Sequence, residues 1–271
     1  MRANEFHDDW SRRVKQLISY RYLGCSSTAV DRDHAEGRMR LRSDMRTCRG
    51  LRAAPLAIAV LDTAGINVDA INQLALTQID IHLFDPGVDV SEVRVRGRVV
   101  REARSQIFTE ARIEDAEDFG RVVAYGTADW AIMSPTPPGF SYVDPGSGVP
   151  DSPSLPSLVE AFGARALPGG GFEIEALSPS VGAKFLHHGP IQVSLEATAL
   201  EVAAEHAGTD ALRMEHLGTR IVRGGRVGPF TTRAEVLPTA GESIACRAEL
   251  RDLGAADVLV AVAIARMLVV D

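Results

Sequence analysis

The chain has 271 residues, with 29 Lys and Arg against 36 Asp and Glu, a net charge of −7 when the histidines are neutral. Hydrophobic residues make up 45% and charged residues 24%, which excludes a disordered or collagen-like polymer. The acidic balance argues against a general nucleic-acid binder, and the longest apolar runs, AAPLAIAVL and VLVAVAIA, stop at about ten residues, too short for a membrane-spanning helix.

The opening stretch, MRANEFHDDWSRRVK, has no apolar leader core. Cys25, Cys48 and Cys246 are widely spaced and form no CxxC pair. A reducing, cytoplasmic setting without structural zinc is therefore expected. DDWSRRVKQLISYRYL predicts an amphipathic helix, EGRMRLR lies in a hairpin-like region, and Leu51–Ile66 predicts an apolar helix. VRVRGRVV (93–100) alternates with period two, the signature of a strand with one buried face. SQIFTEARIED and VVAYGTADWAIM continue as strands, antiparallel because the turns between them, such as EDAEDFG, are short. The Pro-, Gly- and Ser-rich segment 135–156 predicts a linker between a first domain, 1–134, and a second, 157–271.

Beyond the linker the same order returns: an amphipathic segment (SLPSLVEAFGARAL), a hairpin region (GGFEIEAL), an apolar helix over Ile191–His206 and strands. SQIFTEARIED aligns with ESIACRAELRD without a gap at an offset of 137, and VRVRGRVV falls on FTTRAEVL at the same offset. IAVLDTAGI falls on QVSLEATAL at an offset of 134. The nearly constant offsets indicate a duplication. Each half then reads as an α+β unit, a five- or six-stranded antiparallel sheet curled around one helix, because a helix that is apolar on nearly all sides must be enclosed.

Two carboxylates are misplaced in those helices. Asp62 stands among Ile58, Ala59, Leu61, Gly65 and Ile66. Glu196 shares its helix side with Val193, Ala199, Leu200 and Ala203, whereas Glu201 and Glu205 fall about 140° and 180° away. A buried carboxylate is costly unless it is paired or used, so each either bonds a buried N–H group or does chemistry. Gly189 and Pro190 mark a helix start, whose unpaired N–H groups can polarise a carbonyl. Glu196 is about 10.5 Å along the helix from Gly189, too far for one small group to touch both. Two antiparallel helices side by side solve this. Asp62 is then expected to meet His187, His188 and Gly189, and Glu196 the loop Arg46–Gly50.

His187-His188-Gly189 followed, after six intervening residues, by Glu196, the strand text from Val93 to Met133 and the segment IDIHLFDPG (79–87) together resemble the hotdog-fold acyl-CoA thioesterases of the phenylacetate-degradation type. The first half departs from the pattern: it lacks His-Gly-Gly before Asp62, and Gly50 is the nearest substitute. The resemblance implies two tandem hotdog domains forming an intrachain pseudo-dimer, with whole chains able to pair further as a homodimer. It implies hydrolysis of an acyl-CoA thioester, the carboxylate acting as general base or as nucleophile, with no metal or redox cofactor and coenzyme A as part of the substrate. Of the two half-sites, that of Asp62 is expected to work, since it faces the better-preserved loop. A polar residue on the strand after the helix is implied as an assistant, Thr77 or Gln78 in the first half and His216 in the second. Arg94, Arg96, Arg98 and Arg223 are candidates for the phosphates of coenzyme A, or members of a solvated face. Two other readings stay open: a non-catalytic acyl-CoA or small-ligand binding protein, and an enoyl-CoA hydratase on the same fold.

Overall fold

The computed structural model describes residues 3–138, 142–144, 146–238 and 241–270. In chain order the first half comprises α1 (Ala3–Gln16), α2 (Ile18–Leu23), β1 (Ser26–Ala29), β2 (His34–Arg40), the two-residue strands β3 (Arg46–Thr47) and β4 (Gly50–Leu51), α3 (Ala53–Ala64), α4 (Ile66–Asp69), β5 (Asn72–Leu83), β6 (Glu92–Glu102), β7 (Gln106–Asp115) and β8 (Val122–Pro135). The second half comprises α5 (Leu158–Ala161), β9 (Arg165–Ala166), β10 (Phe172–Ile174), α6 (His188–Ala207), β11 (Leu212–Ile221), β12 (Phe230–Leu237), β13 (Ser243–Asp252) and β14 (Val258–Val269).

Twelve strands form one sheet in the order β1-β2-β6-β7-β8-β5-β11-β14-β13-β12-β10-β9. Read inward from either edge, the two halves have the same order, so the repeat seen in the sequence is a repeat of topology. All strand pairs are antiparallel. The halves join where β5 meets β11, with Gly218 opposite Asp80 at the middle of the paired stretch. Equivalent strands paired antiparallel place a pseudo-two-fold axis through that point. This is the double-hotdog α+β architecture, with six strands and one long helix in each half.

The alternation of VRVRGRVV is realised in β6, where Val93 and Val95 are buried and Arg96 and Arg98 face outward. Every residue of α3 is buried, because β2, β5, β6, β7 and β8 curl around it and α6 packs along its side. The last turns of α6 emerge from the core, which is why Glu201 and Glu205 are exposed while Glu196 is not. The amphipathic segments differ from expectation. The first breaks at Leu17 into α1 and α2. The second is a single capped turn, α5, since Ser157 and Glu160 form a capping box and the text beyond it becomes β9.

Part of the segment joining the halves lies on the first half. Val149 N–H donates to the Tyr22 carbonyl at 3.2 Å and Asp151 accepts from the Ser43 hydroxyl at 2.7 Å. Gly24 and Gly148 allow this crossing. Both have positive φ, and a Cβ on Gly24 would lie 2.0 Å from the Gly148 nitrogen. Residues 139–141 and 145 of the expected linker lie outside the described residues.

Candidate active site

The two long helices run side by side, and one contact sets their register. Glu196 of α6 accepts hydrogen bonds from the Ala53 N–H and, at 3.2 Å, from the Ala54 N–H. These are the first two residues of α3, whose start has no capping side chain of its own. A carboxylate from the other half thus meets the positive end of a helix. The loop Arg46–Gly50 also docks on the second half, Thr47 Oγ1 donating to the Leu212 carbonyl at 3.1 Å and Cys48 Sγ to the Asp210 carbonyl at 3.2 Å. The donors nevertheless come from Ala53 and Ala54. Gly50 sits in β4 with φ +148°, where a Cβ would lie 2.7 Å from the Pro86 carbonyl oxygen, so its role is a tight backbone approach.

Glu196 is fully buried, and its second oxygen, Oε2, has no partner. Burial pushes its carboxyl above the usual glutamate range, against the pull of the Arg52 guanidinium and of the two N–H groups. One turn earlier on the same face lies Gln192, also fully buried. Thr219 Oγ1 of β11 donates to Gln192 Oε1 at 2.8 Å, leaving the amide Nε2 without a partner. A buried acceptor and a buried donor, both open, thus lie side by side. Unpartnered buried polar atoms are rare and mark this part of α6 as a candidate site.

Of the assisting residues expected on the strands, Thr77, at an irregularity of β5, donates its hydroxyl to the Asp129 carbonyl at 2.9 Å, and Gln78 and His216 lie elsewhere. Ile79 and Ile81 of β5, and Leu217 and Thr219 of β11, point toward the helices and are buried. Gln78, Asp80 and His216 therefore face the opposite side of the sheet. There Gln78 donates to Asp80, His216 lies 3.3 Å from Asp80, and the His216 and His82 rings stack at 4.5 Å. Gln78 and His216 are thus removed from the helix pair by the full thickness of the sheet. The polar residue that does face α6 is Thr219. Its signal in the sequence was its even spacing from Leu217, since a period of two assigns both to the buried face.

Asp62 is 6% exposed and neither of its oxygens has a partner. It does not hydrogen-bond to His187, His188 or Gly189. Burial, and then Asp69, hold its carboxyl well above the usual aspartate range. Burial, and after it the neighbouring Asp62, raises the hydroxyls of Tyr20 and Tyr142 and the Cys25 thiol, which identifies the surroundings of Asp62. The reason lies in the helix starts. Pro55 and Pro190 are each the third residue of their helix, so structurally the two starts are 135 apart, while Asp62 and Glu196 are 134 apart. One residue turns a side chain by about 100°, so Asp62 faces a different side from Glu196. The start of α6 is covered by α2 instead. Ser19 Oγ lies 2.9 Å from His187 Nδ1 and the Tyr20 ring contacts the His187 ring. The rings of His187 and His188 lie 3.9 Å apart, tilted by 40°, and burial lowers His187 to about 4 and His188 below its usual range.

The candidate phosphate ligands on β6 are engaged across strands: Arg94 with Glu36 at 2.6 Å, Arg96 with Glu114 at 2.6 Å and Arg98 with Glu110 at 2.5 Å. They form the charged outer face of the sheet. Arg223 is exposed in the loop after β11. Among the described residues no group of three or more His, Cys, Asp or Glu side chains is placed to hold a metal ion, and no helix is long and apolar enough to cross a membrane.

No family model and no curated relative matches the chain by sequence. Solved structures do match in fold. A tesB protein of Mycobacterium avium subsp. paratuberculosis is similar with a TM-score of 0.62 at 12% identity, over 90% of this chain and 96% of that one. An acyl-CoA thioesterase II of Mycobacterium marinum is similar with a TM-score of 0.59 at 14% identity, over 94% and 97% of the two chains. A hotdog-fold protein of unknown function from Alicyclobacillus acidocaldarius gives 0.60 at 12%, over 93% and 98%. At such identities the likeness is one of fold, along the full length of both halves.

Proposed function

We propose that the chain hydrolyses an acyl thioester, with an acyl-CoA as substrate, and that the reaction runs at Glu196. The observation that carries this reading is the meeting of Glu196 with the Ala53 and Ala54 N–H groups, with Oε2 left open beside Gln192. The fold's resemblance to thioesterases supports the reaction class. The carbonyl oxygen of the thioester takes the helix-start N–H groups from Oε1, since a developing oxyanion is their better partner. Water held between Oε2 and Gln192 Nε2 attacks the carbonyl carbon and gives its proton to Glu196. The tetrahedral intermediate collapses, the C–S bond breaks, and Glu196 returns the proton to the departing thiolate sulfur. The products are the carboxylic acid and free thiol. Gln192, held by Thr219, orients the water. Asp62 makes no hydrogen bond to a helix start, so its half-site is the weaker candidate for the same step.

The test is thiol release from a panel of acyl-CoAs by the wild type, Glu196→Gln and Asp62→Asn. Glutamine keeps an oxygen for the α3 N–H groups and removes the base, so the fold should survive. The expected loss in kcat for Glu196→Gln is about 100-fold or more, with Asp62→Asn retaining turnover. Full activity in Glu196→Gln would move the chemistry elsewhere. If the wild type releases no thiol but acyl-CoA raises its Tm, the binding-protein reading replaces this one.

A further inference from the structure

On the outer face of the sheet, a hollow of about 300 Å³ lies over β2, β6, β7 and β8, at the small end of the range for small-molecule sites. His34, Arg96, Arg98, Glu110, Arg112 and Tyr125 line it, with Gly97 in its floor. A Cβ on Gly97 would point the other way and lie 2.9 Å from the Ala64 Cα of α3. The strand therefore rests on the helix at this point, and the neighbouring Arg96 and Arg98 are sent outward. Arg96 and Arg112 stand directly opposite each other on β6 and β7. Two like charges in such a pair oppose the pairing of their strands.

One carboxylate serves both arginines. Glu114 Oε1 lies 2.6 Å from Arg96 and 2.8 Å from Arg112. Glu114 is fully buried and its Oε2 has no partner, while the two arginine side chains are 45% and 43% exposed. The carboxylate thus lies beneath a pair of guanidinium groups that open to solvent. The other charges around the hollow balance in pairs: Arg98 with Glu110, Arg94 with Glu36 and, at the rim, His34 with Asp31. Among the described residues, one unit of positive charge is left over, and it sits at Arg96 and Arg112. We propose that this hollow binds a phosphate monoester, its terminal oxygens between the Arg96 and Arg112 guanidinium groups and its organic body against the Tyr125 ring. Two guanidinium forks offer more donors than the two oxygens of a carboxylate can take, and suit the three terminal oxygens of a phosphate. Tyr125, opposite Arg112 on β8, supplies an apolar face beside the anion. The helices lie on the other face of the sheet, so this site is separate from Glu196 and independent of the hydrolytic reading.

Phenyl phosphate, inorganic phosphate and benzoate are the probes, titrated into the full chain by calorimetry. Phenyl phosphate should bind about tenfold more tightly than benzoate, the worth of one more charge-assisted hydrogen bond. It should also bind more tightly than inorganic phosphate, which has no ring to lay on Tyr125. Arg112→Gln should weaken phenyl phosphate about tenfold, and it leaves Glu114 paired with Arg96, so the fold is kept. Glu114→Gln should act in the opposite direction and tighten binding, since the competing charge is gone while an oxygen remains for both arginines. An ion-pair cluster with only a structural role would show neither change. Should Glu114→Gln not fold, Arg96→Gln decides, with a loss expected to match that of Arg112→Gln. No binding at millimolar phenyl phosphate, equal binding of benzoate or of inorganic phosphate, unchanged affinity in Arg112→Gln or Arg96→Gln, or unchanged or weaker binding in Glu114→Gln overturns the proposal.

Discussion

Glu196 shows how a single buried carboxylate can tie two helices together and still keep one oxygen without a partner. Its Oε1 ties the start of α3 to α6, and its Oε2 is kept open. Replacing it by alanine should cost roughly 1–3 kcal/mol, because two helix-start donors lose their acceptor; glutamine should cost far less, and denaturant melts of the two variants measure the difference. The ionised base is the active form, and burial raises its pKa, so kcat should fall on the acid side at a pH above the ordinary glutamate range. The Arg52 guanidinium works against that shift. Arg52→Leu should therefore move the acid limb of the pH–kcat profile further up, and a limb that stays in place or moves down would show that Arg52 does not hold the Glu196 charge. A buried acid was legible at residue 196 from the apolar residues that share its side. Its partners were not, since Ala53 and Ala54 act through backbone N–H groups that carry no sequence signature.

At the scale of elements, the start of α6 is crowded by α2. A Cβ on Gly189 would lie 2.0 Å from Ser19 Oγ and 2.9 Å from its Cβ. Gly189→Ala should destabilise by about 1–3 kcal/mol, as overpacking does. Adding Ser19→Gly should recover part of that loss, and a double-mutant cycle gives the coupling. If the cycle closes additively, α2 does not rest on Gly189. Element α4 carries a second test. Burial pushes the Asp69 carboxyl up to about 7. The folded chain then binds a proton that the unfolded chain has released above about 4. Stability from this group is present below that value and is lost as the pH rises through 7. Asp69→Asn should raise Tm at pH 8 and leave it unchanged near pH 4. Strands were readable wherever one face was buried, as in VRVRGRVV. The short helix α5 was not, because SLPSLVEAFGARAL has an amphipathic pattern that β9 overrides by pairing with β10.

For the whole molecule, the join of β5 to β11 makes two sheets into one, and α3 packs against both α6 and β11. Heating should give one cooperative transition, with calorimetric and van 't Hoff enthalpies in agreement; two resolved transitions would mean that the halves hold themselves independently. Gly218 lies at the centre of the join, and a Cβ there would be 2.3 Å from Asp80 Oδ1. Gly218→Val should lower that single Tm.

By itself the sequence determined the duplication, the α+β character of each half and the presence of two acids inside apolar helices, because burial leaves a periodic trace in residue type. The tertiary structure alone decided which groups meet. A one-residue difference between the two helix starts turns Asp62 about 100° away from the position Glu196 occupies, and the pleat sends Gln78 and His216 to the outer face while Thr219 turns inward to Gln192. Such differences are a single residue in the text and most of a helix turn, or the whole thickness of a sheet, in space.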